Sequence, residues 1–91
     1  MTETVDPSDS DAMNRLGVLA YKAGDMVLAE SWWQKAADLG DAGAMFSLGS
    51  LAHNSGDKVL AKSWFQKASD LGDGAAIFAL RSLGRPWWRL W

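Results

Sequence analysis

The chain has 91 residues, six tryptophans, no cysteine and a formal net charge of −2. A length of this order makes one small domain that buries only about 60–65% of its unfolded surface, so its stability is modest without reinforcement. The absent cysteines exclude a disulfide or a thiolate-bound metal, the slight acidic excess is wrong for a nucleic-acid surface, and no stretch approaches the ~20 apolar residues of a membrane span.

Residues 1–10 form an acidic, polar lead-in with Glu3, Asp6 and Asp9, and Asp11 follows without a compensating cation. The basic start and apolar run of a secretory signal are missing, so the default address is the cytoplasm. This segment reads as solvated and flexible, with Asp9 or Ser10 near enough to cap the first helix.

From Ala12 onward, Met13, Leu16, Leu19, Ala20 and Ala23 recur at helical spacing, and Ala29, Trp32, Trp33, Ala36 and Leu39 do so again further on. Between the two runs stands Gly24-Asp25, and the same dipeptide returns at 40–41, 56–57 and 72–73, every 16 residues. Glycine takes the left-handed conformation that ends a helix, and the aspartate after it caps the next. The four pairs therefore cut the chain into helices of about 12–14 residues joined by minimal turns.

Displacing the chain against itself by 32 residues pairs 12–43 with 44–75, and 20 of the 32 positions are identical. A third copy begins at Ala76, with Ile77, Leu80 and Leu83 in the places of Met45, Leu48 and Leu51. Gly17 and Gly49 fall mid-helix, where glycine costs about 1 kcal/mol relative to alanine. Close approach of the partner helix, with Trp or Phe filling the space, is the expected compensation. No strand is expected.

The run Ala29, Trp32-Trp33, Lys35-Ala36-Ala37, Gly40, Ala44, Leu48-Gly49 resembles the Sel-one-like repeat, a branch of the tetratricopeptide superfamily. It returns as Ala61, Trp64, Phe65, Lys67, Ala68, Gly72, Ala76 and Leu80, and the resemblance covers residues 12 to about 83. One departure is the short turn at 24–29 inside the hairpin, which is tetratricopeptide-like. The resemblance implies an all-α fold: a short right-handed solenoid of antiparallel helix hairpins, about five helices plus a C-terminal turn, spanning 11–84. It implies an adaptor or scaffold whose first helices line a concave surface, and no substrate.

Where the two copies differ, side chains are freer for surface work. On the first helices the differing pairs include Asn14/Phe46, Val18/Ser50, Tyr21/His53 and Lys22/Asn54. They follow an i, i+4, i+7, i+8 stripe, which the resemblance places on the concave side. Phe78 and Ser82 would extend it. This mixture of aromatics, amides, hydroxyls and one ammonium suits an extended peptide held by hydrophobic anchors and backbone hydrogen bonds. Ordinary solvent-facing residues that have drifted would give the same pattern. A tetratricopeptide clamp for a terminal carboxylate would want Lys near Asn14 and Asn near Val18, and neither is there.

No catalytic, cofactor or metal site is expected. His53 is the lone histidine, with neither a cysteine nor a free carboxylate at relay spacing, because Asp57 is expected to act as a cap. The serines have no nucleophile-elbow context, and the glycines do not cluster into a phosphate loop. Lys35 and Lys67 are expected to lie over tryptophan.

Gly84 and Pro86 end the fifth helix. Residues 85–91 then bring Trp87, Trp88 and Trp91 together with Arg85, Arg89 and Leu90, too much apolar surface to leave in water. The segment either caps the open end, docks on another copy to give a homo-oligomer, serves as an arm for a foreign protein, or seats at a lipid headgroup layer. The leading expectation is a protein-interaction module for a peptide or protein. The alternative is a unit that self-assembles through its open end and tryptophan segment.

Overall fold

The computed structural model describes residues 9–84, which form five helices: α1 (Ser10–Lys22), α2 (Met26–Asp38), α3 (Ala42–Asn54), α4 (Lys58–Asp70) and α5 (Gly74–Gly84). There is no strand among the described residues, and no helix is long and apolar enough to cross a membrane. The lead-in 1–8 and the tryptophan segment 85–91 lie outside the described residues.

The Gly-Asp pairs act as the sequence suggests, and one aspartate serves two helices at once. Gly24, Gly40, Gly56 and Gly72 have φ between 86° and 92°. At the first turn Gly24 N–H donates to the Tyr21 carbonyl at 3.0 Å and Asp25 N–H to the Ala20 carbonyl at 2.9 Å. This pair of bonds closes the orphaned end of α1 as a Schellman motif, and the other three turns repeat it. The Asp25 carboxylate then accepts from Leu28 N–H at 3.0 Å and opens α2. Asp41, Asp57 and Asp73 do the same for α3, α4 and α5, and Asp9 caps α1.

Turns this short force neighbouring helices antiparallel and side by side. α1 packs on α2 and α3 on α4 as hairpins, while α2–α3 and α4–α5 join one hairpin to the next. The contacts are built mostly from alanine: Ala29, Ala36, Ala44, Ala61, Ala68 and Ala76 are fully buried. Small side chains bring the backbones close, and one aromatic per hairpin, Trp33 or Phe65, fills what remains. Trp64 of α4 reaches back onto the first cluster, beside Leu51 and Met45, and so ties the two hairpins together. The result is an all-α helical-repeat solenoid.

Of the apolar stripe positions expected on α1 and α2, three are exposed instead: Leu19, Leu39 and Ala23, the last as the C-cap of α1. Leu19 is 61% exposed, whereas its counterpart Leu51 packs against the first cluster. The difference is one of position in the array: a preceding hairpin covers α3 and nothing among the described residues precedes α1. Leu39 sits at the C-cap of α2, past the last packed turn, and is also exposed.

Candidate functional site

The second hairpin shows how a surface recess arises from the repeat. Gly49 on α3 has no side chain, and the Phe65 ring of α4 lies where one would be, with Cε1 2.6 Å from the position of a Cβ. Phe65 is therefore held against the α3 backbone, with its ring centroid 5.4 Å from that of Phe46 and the planes tilted by 41°. That spacing and tilt are favourable for an aromatic pair.

α5 approaches from the other side, and between it and α3 lies a pocket of about 220 Å³. Phe46 and Phe65 form its aromatic wall, Ala79 and Leu83 the facing one, and Ser50, His53, Asn54 and Ser82 supply polar groups. Five residues of the sequence-derived stripe thus meet at one recess: Phe46, Ser50, His53, Asn54 and Ser82. Among the described residues no three His, Cys, Asp or Glu side chains cluster as a metal site would require.

The remaining stripe residues go elsewhere. Tyr21 packs on Trp33, ring centroids 5.9 Å apart. Asn14 is half-buried; its main-chain carbonyl accepts the Trp33 indole N–H at 3.2 Å, and its side-chain Oδ1 is buried without a hydrogen-bond partner. Val18 and Lys22 are exposed on α1. Phe78 is 72% exposed on α5 and does not line the recess. Trp87, Trp88 and Trp91 lie outside the described residues.

Phe65, Ala79 and Leu83 line the recess although the stripe did not include them. A signal for Phe65 existed. It is one of the positions where the copies differ, Trp33 against Phe65, and comparison of the second helices as well as the first picks it out.

On another side, a cleft of about 420 Å³ runs between α2, α3 and α4, past Met26, Glu30, Gln34, Leu60 and Trp64. Trp64 is already engaged there, because the Lys67 Nζ stands 4.7 Å from its ring centroid, and Lys35 covers Trp32 in the same way at 4.9 Å. Near this edge Val27 and Val59 are 82% and 83% exposed. Identity between copies therefore does not always mark scaffold.

The Sel1 repeat model matches residues 10–41 and again 42–73. The chain belongs to the Sel1 repeat family. Each match starts on the first residue of a first helix, Ser10 or Ala42, and ends on a capping aspartate, Asp41 or Asp73. The Sel1 unit thus coincides with one hairpin and the turn that leads out of it. No curated protein matches the chain. Sel1 repeats are generally protein-interaction modules rather than catalysts.

Proposed function

We propose that the chain is an adaptor or scaffold module that holds a peptide segment of a partner protein in the recess between α3 and α5. The observation that carries this reading is the Phe46–Phe65 pair at the wall of a 220 Å³ pocket, with Ser50, His53, Asn54 and Ser82 around it. Small-molecule and cofactor sites usually enclose about 300–1,000 Å³. A smaller, shallow recess suits one apolar side chain of a peptide whose backbone then meets the hydroxyls and amides. Phe46 and Phe65 would take the anchor, and Asn54 and His53 would bond the peptide backbone. Asn14, Val18, Tyr21 and Lys22 would extend the contact along α1. A cytoplasmic address and a protein rather than nucleic-acid partner belong to the same proposal and rest on the sequence.

The test is selection of displayed peptides on the full chain, followed by binding measurements on variants. Selected peptides should share one aromatic or leucine anchor and lose affinity at least tenfold with Ser50→Arg, which fills the recess. They should keep it with Val27→Glu, remote from it. Binders that ignore Ser50→Arg would overturn the proposal.

A further inference from the structure

The outer faces of α2 and α4 carry the same apolar residue and, within the next turn, opposite charges. Val27 and Val59 occupy equivalent places in the two hairpins and are 82% and 83% exposed. In the isolated chain both face water, although valine is a poor helix former and its branched side chain gains nothing there. A single exposed aliphatic is ordinary, but these two belong to one surface. α2 and α4 run in the same direction, both pack on α3, and together they border one cleft.

Four residues beyond each valine stands an exposed serine, Ser31 or Ser63, small enough to let another helix come close. Three residues beyond, the two units differ: α2 has Glu30 and α4 has Lys62, both exposed. Positions i, i+3 and i+4 share one side of a helix. One helix therefore presents Val-Glu-Ser and the other Val-Lys-Ser, alike in shape and opposite in charge. A surface of this kind is complementary to itself.

We infer that two copies of the chain pair through this face about a two-fold axis that runs between α2 and α4, parallel to both. Such an axis lays α2 of one copy over α4 of the other at the same height. Val27 then meets Val59 of the partner, and Glu30 meets Lys62 of the partner. Two-fold symmetry repeats both contacts on the other side of the axis. The charges select this arrangement. A two-fold axis across the helices would lay α2 on α2 and α4 on α4, with Glu30 near Glu30 and Lys62 near Lys62. The carboxylates of Asp25 and Asp57 also come level in the chosen pairing, but each already accepts a helix amide, and Lys58 stands beside Asp57. A face two helices wide is at the small end of specific interfaces, so the dimer is expected to have micromolar rather than nanomolar affinity. α2 contributes nothing to the recess, and α4 contributes only Phe65 from its buried side. The dimer therefore stands whether or not the recess binds a peptide.

The experiment is sedimentation velocity on the full chain and its charge variants across the micromolar range, in low and high salt. The unaltered chain should pass from monomer to dimer as concentration rises, less readily in high salt. Glu30→Lys alone and Lys62→Glu alone each set like charges against one another in both halves of the interface, and each should weaken dimerisation about tenfold or more. Glu30→Lys combined with Lys62→Glu restores opposite charges and should bring the dimer back. Circular dichroism should be the same for all four chains, because both positions are exposed. A chain that stays monomeric into the millimolar range would overturn the inference, and so would a double variant no better than the single ones. Association that ignores the single reversals would also overturn it, because it would use another surface. So would a ladder of larger species, because a two-fold contact closes at two copies.

Discussion

Trp33 lies across Gly17, its indole ring occupying the space where the side chain of any other residue at that position would begin. The glycine is thus a socket, and its helix-propensity cost is offset by burial of the largest aromatic residue at 4% exposure. Gly17→Ala should therefore destabilise the fold by about 1–3 kcal/mol through overpacking, despite a propensity gain of about 1 kcal/mol. Gly74, where a side chain would meet nothing within 4 Å, is the control. There the same exchange should be neutral or stabilising by up to about 1 kcal/mol. Denaturation midpoints of the two variants decide the matter, and equal behaviour would sink the socket reading.

The two hairpins solve the same packing problem with different pairs. In the first, the Trp33 indole N–H reaches the Asn14 carbonyl at 3.2 Å. In the second, Phe65 has no donor and packs on Phe46. Asn14→Phe and Trp33→Phe should each cost stability alone, the second by removing a hydrogen bond of about 0.5–1.5 kcal/mol and some volume. Made together they recreate the Phe46–Phe65 pair and remove a buried, unpartnered amide oxygen. The double variant should recover part of the loss, with a coupling of about 0.5–3 kcal/mol in a double-mutant cycle. Strict additivity would show that the pairs are not equivalent.

Asp41 donates its N–H backwards to the Ala36 carbonyl at 3.1 Å and accepts Ala44 N–H on its carboxylate at 3.1 Å. Only the second bond uses the side chain. Asp41→Ala should cost about 1 kcal/mol, and Asp41→Asn or Asp41→Ser, which keep an acceptor, much less. Gly40→Ala acts on the other half of the turn: at φ 92° a side chain strains the backbone by about 1–2 kcal/mol although nothing lies within 4 Å of it. Thermal unfolding of the three aspartate variants beside Gly40→Ala separates cap from backbone.

The helices were legible because their punctuation is local: each Gly-Asp pair closes one helix and opens the next with bonds spanning five residues or fewer. Gly17 and Gly49 were legible as close approaches because glycine mid-helix needs a reason. What the periodicity could not supply was context. Leu19 and Leu51 are the same residue on the same face, and only the neighbour on the preceding side makes one exposed and the other packed. The recess was half legible. Phe46, Ser50, His53 and Asn54 emerged from comparison of the first helices, but its Phe65 wall comes from a second helix, and Ala79 and Leu83 look like ordinary packing residues.

Val27 and Val59 present the opposite case, identical in both units and yet 82% and 83% exposed. They sit in the first turns of α2 and α4, which carry no acidic residue beyond the capping Asp25 and Asp57 at the positive end of the helix dipole. Val27→Glu and Val59→Glu should therefore each stabilise the isolated chain by about 0.3–1 kcal/mol, an increment that salt reduces. A loss of stability in both would instead mean that the valines are covered in solution. If that loss grew with protein concentration, the cover would be a second copy, because only self-association makes stability depend on concentration. Urea midpoints at two protein concentrations and two salt concentrations distinguish these outcomes.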